Sequence, residues 1–223
     1  MNKTPFLQHF SRFFKTHRQL LVLVLLMSVF RSAIADWYSV PTGSMQPTIN
    51  IGDRVTVNKM AYDLRLPFTQ LSLLRTGEPA RGDILVFSSE AAANRLIKRV
   101  VGLPGDTVAM RNEVLVINGK PLAYQQLNDA TVTMFTEQLG TLQHLVQLDH
   151  AQPALLANFA PITIPEDYYL VLGDNRRHSA DSRVYGLVPR QELLGKATHV
   201  AFSMDYDNFY LPRRDRFAQS LYP

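Results

Sequence analysis

An apolar run at residues 20–30, broken only by Ser28, sets how this chain can begin. A segment that leaves water must satisfy its own backbone, and a lone segment does so as a helix. Ahead of it stand Lys3, Arg12, Lys15 and Arg18, with no acidic residue among the first 18 positions. The 223-residue chain holds 23 Lys+Arg against 19 Asp+Glu, so those four cations account for the net charge of +4. The balanced remainder argues against nucleic-acid binding, which calls for a basic folded surface. The chain has no cysteine, so disulfide, zinc-thiolate and thiol chemistry are excluded.

Two readings fit the start of the chain. A basic flank, a short apolar core and Ala33-Ile34-Ala35 have the form of a cleaved secretory signal. A retained anchor over residues 19–37 supplies the roughly 20 residues that a span needs. Arg31 would then reach to the interface, and Trp37-Tyr38 would sit in the aromatic belt. The anchor is favoured, because cleavage after Ala35 would leave the candidate nucleophile Ser44 nine residues from a free end. It places residues 1–18 in the cytoplasm and 38–223 across the membrane.

Beyond the anchor the patterning is mainly that of strands. Residues 54–58 alternate, 83–87 are a short apolar run after a glycine turn, and 114–117 precede Asn118-Gly119, a hairpin signal. Residues 168–172 read as a buried strand entering Gly173-Asp174-Asn175, and 197–204 as a final strand. Residues 190–194 suit a single helical turn, while 136–145 fit helix or strand. Residues 121–165 are weakly patterned with Pro at 153, 161 and 165, and belong to an inserted subdomain at about 107–165.

Ser44 lies in Val40-Pro41-Thr42-Gly43-Ser44-Met45-Gln46-Pro47-Thr48, and Lys98 in Arg95-Leu96-Ile97-Lys98-Arg99-Val100-Val101. A serine needs an adjacent base to act as a nucleophile. A lysine can be that base only if its pKa falls by about 3 units, or about 4 kcal/mol, and burial among apolar neighbours does this. Taken singly, Ser44 is equally a turn cap and Lys98 a solvated strand residue. The histidines at 9, 17, 144, 150, 178 and 199 show no metal spacing. Only His178 lies near a motif and competes as a base. Asp205-Tyr206-Asp207-Asn208 lacks the glycine and distal glutamate of a calcium loop and reads as a turn. Arg213-Arg214-Asp215-Arg216 reads as a solvated tail, with contact to anionic lipid headgroups as the rival reading.

PTGSMQPT at 41–48, GDRV at 52–55, RGDILVF at 81–87, IKRVVGLPGD at 97–106 and GDNRRHSADSR at 173–183 together resemble type I signal peptidases. These are membrane-bound serine proteases that remove signal peptides from exported proteins. The resemblance extends from Arg31 to about Met204, with the motifs in the family's order. It implies a mainly β catalytic domain with a small inserted subdomain, preceded by one transmembrane helix. By position, Ser44 matches the nucleophile, Lys98 the general base and Ser179 the hydroxyl that orients the amine. Thr42 matches the residue that forms the oxyanion hole with the Ser44 N–H, and Asp181 and Arg183 a structural ion pair. In the family the substrate adds as a strand between segments matching residues 37–42 and 95–97, main-chain pairing giving affinity and pockets specificity. Val40, Met45, Ile49 and Ile97 are the candidates for shallow pockets taking small residues at the first and third positions before the cut.

The resemblance implies no metal or cofactor. Its implied partners are signal peptides of exported preproteins, membrane lipid and the export translocon, at a bacterial plasma membrane with the catalytic domain on the extracytoplasmic side. A peptidase dedicated to one client, such as a pilin or conjugation protein, is the nearest alternative; an inactive preprotein binder is a more distant one. Arg177 and His178 depart from the family's usual acidic and Asn residues, as does Arg95 from an often acidic position. All three are expected at the cleft edge.

Overall fold

The computed structural model describes residues 5–69, 71–127 and 133–222, with residues 5–15 given by their helical backbone alone. Lys3 and the side chains of Arg12 and Lys15, part of the basic flank, lie outside the described residues. Helix Pro5–Ala33 runs almost directly into strand Ala35–Ser39. Among the described residues no helix is long and apolar enough to cross a membrane. The helix also ends earlier than residue 37. Asp36 and Trp37 pair with Val57 and Thr56 in the sheet. Arg31 folds back, with its guanidinium 4.3 Å from the Trp37 ring centroid and Nη2 2.7 Å from Asp36. Lys59 donates to the Arg31 carbonyl at 2.8 Å, a cation at the helix C-terminus where the dipole favours one.

The main sheet has nine strands. Its order runs Ala35–Ser39, Asp53–Asn58, Leu193–Asp205, Ile84–Ser89, Asn94–Gly102, Tyr168–Leu172 and Val188–Pro189, with two short C-terminal strands added to Leu193–Asp205. Alternation along Ile84–Ser89 divides the core, because successive side chains face opposite sides. Ile84 and Val86 join Val40, Met45, Ile49, Val55 and Val200 on one face. Leu85 and Phe87 join Val100, Tyr169 and Val171 on the other.

One detail of pairing shapes the site. Asn94–Gly102 pairs with Ile84–Ser89 from Asn94 to Arg99, but with Tyr168–Leu172 only over Arg99–Gly102. Residues 94–98 therefore keep an unpaired edge. Ala35–Ser39 is the terminal strand of the sheet and keeps another.

The insertion is more regular than its sequence suggests. A four-stranded sheet joins Phe159–Thr163, Thr107–Arg111, Val114–Ile117 and Lys120–Pro121. Asn118 and Gly119 turn at φ 51° and 77°, as a tight hairpin requires. The ambiguous stretch at 136–145 is β: Thr133–Leu139 and Leu142–Leu148 form a hairpin across Gly140, whose φ is 66°. Leu139 joins Val101, Val108, Met110, Leu115, Leu170 and Leu172 in the core between insertion and main sheet.

Of the C-terminal arginines, Arg214 is exposed as expected, but Arg213 and Arg216 are not a solvated tail. Arg216 is buried, and its guanidinium donates to Asp53 at 2.9 and 2.5 Å and to the Thr48 carbonyl at 3.1 Å. Arg213 donates to the Ile51 carbonyl at 2.8 Å and to Asp205 at 3.0 Å. Asp205 begins the turn expected there, with Tyr210 N–H closing onto its carbonyl. Removing one partner of a buried pair strands the other charge, at a cost of about 3–5 kcal/mol. Arg216→Ala should lower unfolding free energy by about 3 kcal/mol in urea titration. A loss below about 0.5 kcal/mol would show that the tail is not structural.

Candidate active site

Ser44 projects from a turn that its own neighbours anchor. Gln46 N–H donates to the Gly43 carbonyl and Ile49 N–H to that of Met45. Met45 and Ile49 sink into the core beside Val40, leaving Ser44 raised between them. From behind, Asn175 N–H donates to the Ser44 carbonyl at 3.1 Å, and its side-chain amide to the Gly43 carbonyl at 3.1 Å. This approach needs Gly173. A Cβ there would sit 2.4 Å from the Ser44 carbonyl oxygen and 2.3 Å from Ser179 Oγ.

Lys98 reaches the site from the strand Asn94–Gly102 and is 3% exposed. Its Nζ lies 2.6 Å from Ser44 Oγ. Burial drives its pKa down from 10.5 to about 8, against the pull of Asp181 and Asp174 and with some help from Arg183. That shift is worth about 3 kcal/mol and leaves about a tenth of the amine neutral at pH 7.

Arg99, the next residue, behaves in the opposite way. It too is buried, but Nε and Nη2 grip both oxygens of Asp174 at 2.8 and 2.6 Å. Burial disfavours both charges, and the pair outweighs it: the carboxyl is held below its ordinary range and the guanidinium above. Thr48 donates to the same carboxylate at 2.6 Å, tying the serine turn to the pair.

Asp181 is claimed by other groups. It accepts from Ser179 Oγ at 2.7 Å, from Gly173 N–H at 3.0 Å and from Arg183 at 2.8 Å through both Nε and Nη2. It also caps the short helix Ser182–Tyr185. Ser179 is a donor here, and among the described residues it makes no hydrogen bond to Lys98 Nζ. Thr42 is exposed at the cleft. Among the described residues neither its hydroxyl nor the Ser44 N–H has a hydrogen-bond partner.

Ser44, Lys98 and Thr42 open onto a cleft of ≈ 310 Å³ between residues 38–42 and the unpaired edge at 94–98. Val40, Met45, Ile49 and Ile97 all line it. The first three are almost fully buried, so any recess they shape is shallow. Arg95 stands at its rim. Arg177 and His178 do not: Arg177 forks onto Glu113 at 2.7 and 2.9 Å, and His178 meets Asp149 at 3.0 Å. Both clasp the insertion, whose acids reach them only in the folded chain.

The insertion supplies neighbours that the sequence did not signal. Gln147 N–H donates to the Asp174 carbonyl at 2.8 Å. Glu137, fully buried, receives Arg176 at 2.6 Å and the Tyr124 hydroxyl. His144 lies 3.4 Å from Glu137 and 3.7 Å from Asp174, with burial pushing its pKa down to about 4. It is a neutral strut with no contact to Ser44. Gly173→Ala should cost about 1–3 kcal/mol by overpacking, measured by urea unfolding. A neutral outcome would mean that the 173–183 loop does not press on the serine turn.

Comparison with known proteins gives the family. The family model for signal peptidase, peptidase S26, matches residues 13–202. A signal peptidase I from Pseudomonas aeruginosa is 34% identical over 220 residues, covering 91% of this chain and 75% of that protein. Signal peptidase I P of Bacillus subtilis subsp. natto is 31% identical, covering 84% of this chain and 88% of that protein. A solved signal peptidase I from Enterococcus faecalis aligns at 32% identity and a TM-score of 0.36, covering 54% of this chain and 97% of that one. The chain belongs to the signal peptidase family, peptidase S26, and is an enzyme of that family.

Proposed function

We propose that the protein is a membrane-anchored endopeptidase that removes N-terminal signal peptides from exported preproteins after Ala-x-Ala-type sites, using Ser44 and Lys98 as a dyad. The observation that carries this reading is the 2.6 Å contact between Ser44 Oγ and the buried Lys98 Nζ. Neutral Lys98 takes the hydroxyl proton as Oγ attacks the carbonyl before the scissile bond. The oxyanion accepts hydrogen bonds from Thr42 Oγ1 and the Ser44 N–H, both without partners among the described residues. Lys98 then passes its proton to the leaving amine. A water deprotonated by the same amine attacks the acyl-enzyme and restores Ser44. Ser179, accepting from Lys98, would keep the amine aimed at Oγ.

The extended substrate adds between residues 37–42 and the unpaired edge at 95–97, so main-chain hydrogen bonds bind it and alternate side chains face the pocket floor. Val40, Met45, Ile49 and Ile97 form that floor and admit only small residues at the first and third positions before the cut. The helix Pro5–Ala33 is the anchor. Leu20, Leu23, Leu25, Leu26 and Met27 are each more than half exposed on it among the described residues. The basic flank faces the cytoplasm. The catalytic domain then works on the extracytoplasmic face of the plasma membrane, where the translocon delivers its substrates. No metal or cofactor takes part.

Ser44→Ala and Lys98→Ala should each abolish cleavage of a preprotein peptide without unfolding the domain, and the double variant should lose no more. Retained activity in Lys98→Ala would remove the dyad. Because the base must be neutral, kcat/KM should climb with pH through an apparent pKa of about 8 and level off above it. Thr42→Ala should slow turnover by about 10²–10³, while Thr42→Ser stays active. Equal losses would mean that Thr42 acts by packing.

The Ala33-Ile34-Ala35 sequence resembles the site this enzyme cuts, yet Ala35 and Asp36 are paired to Asn58 and Val57. The bond between them should stay intact in protein extracted from membranes. N-terminal sequencing that finds mainly chains starting at Asp36, absent in Ser44→Ala, would make the helix a signal peptide and not an anchor.

A further inference from the structure

The cleft beside Ser44 does not end at a closed wall. Tyr38 and Arg95 line it, and the same two residues line a second cavity of ≈ 480 Å³ that reaches to the end of the N-terminal helix. The Arg95 guanidinium lies 4.1 Å from the Tyr38 ring centroid, so a stacked pair stands between the two spaces. Stacking holds the charge in one place without neutralising it. Among the described residues no carboxylate pairs with Arg95.

The other charges of the second cavity are engaged. Asp36, the cavity's one acid, serves both Arg31 at 2.7 Å and Lys59 at 3.4 Å, and Arg65 lies 3.5 Å from Asp63. Arg95 is the cation lining both spaces that has no carboxylate in contact among the described residues. Strand spacing fixes what would meet it. Arg95 precedes Lys98 by three residues, or about 10 Å along the strand. A substrate strand held against 94–98 with its reacting carbonyl at Ser44 turns its first, third and fifth side chains to the face that Ile97 shares with Arg95. The fifth residue before the cut is therefore the first beyond the small-residue positions to come within reach of the guanidinium.

We propose that Arg95 is a specificity-determining residue that reads the charge of this fifth residue, favouring acidic over basic side chains, and that the second cavity receives the polar stretch running up to it. The proposal rests on the peptidase reading given above, with the residues before the cut lying along 95–97.

Three peptides test it, alike except for Glu, Gln or Lys at the fifth position before the cut, with Ala at the first and third. For the full-length protein in detergent, kcat/KM for the Glu peptide should exceed that for the Lys peptide about fivefold, the size expected of a partly exposed charge pair. The difference should appear mainly in KM and shrink in 1 M salt, where the Debye length is about 3 Å. Arg95→Gln should bring the ratio to about one, and Arg95→Glu should invert it. A ratio unchanged in Arg95→Glu overturns the proposal while leaving the peptidase intact. Failure of the unmodified protein to cut even the Gln peptide removes the peptidase reading and the proposal with it.

Discussion

The site depends on how two adjacent cations, Lys98 and Arg99, are treated when both are buried on one strand. Arg99 has a carboxylate to itself, Asp174, and stays charged. Lys98 has none in contact among the described residues: Asp181 already serves Ser179, Gly173 and Arg183, and Asp174 serves Arg99. Desolvation of the amine therefore wins over the distant attraction of both acids, and its pKa falls. The Asp174–Arg99 pair matters twice over. It satisfies the one charge that must remain, and through Thr48 it fixes the turn on which Ser44 is raised. Replacing Asp174 with a neutral residue would leave a buried guanidinium in need of a partner, with Asp181 close by.

Two remote parts of the chain brace this arrangement. The insertion docks its second hairpin strand on Asp174, with Gln147 on the backbone and His144 beside the carboxylate. The C-terminal segment closes the other side. Arg216 holds the Thr48 carbonyl while pairing with Asp53, and Tyr222 donates to Ala197 and accepts from Ile84 N–H. The serine turn is thus gripped at Gly43 and Ser44 by Asn175, and at Thr48 by Arg99 and Arg216. Rigidity at this scale suits a nucleophile that must meet its base at one distance.

Much of this was legible in the sequence where local rules decide. Strands 53–58, 84–89, 114–117 and 168–172 follow from alternation or buried runs between turn residues, and Asn118-Gly119 turns as expected. Ser44 and Lys98 came from turn chemistry, apolar flanks and motif order together, and they meet in the fold. What was missed depends on distant partners. The hairpin at 133–148 carries Glu137 and His144 facing inward, which spoils its apolar alternation; Arg176 makes that burial tolerable. The arginines at 213–216 looked solvated because the partner of Arg216, Asp53, lies 163 residues away. Arg177 and His178 were assigned to the cleft edge because they flank Ser179, but Glu113 and Asp149 draw them to the insertion.

The central claim is that Lys98, buried and unpaired, is the group that titrates near neutrality beside Ser44. Nitrogen NMR of protein labelled at lysine Nζ, with Lys98→Arg identifying the resonance, measures this without reference to turnover. The account gives a midpoint of about 8 for Lys98, in Ser44→Ala as in the native chain, since burial and not the serine sets it. A Lys98 midpoint at the ordinary lysine value of about 10.4 would contradict it.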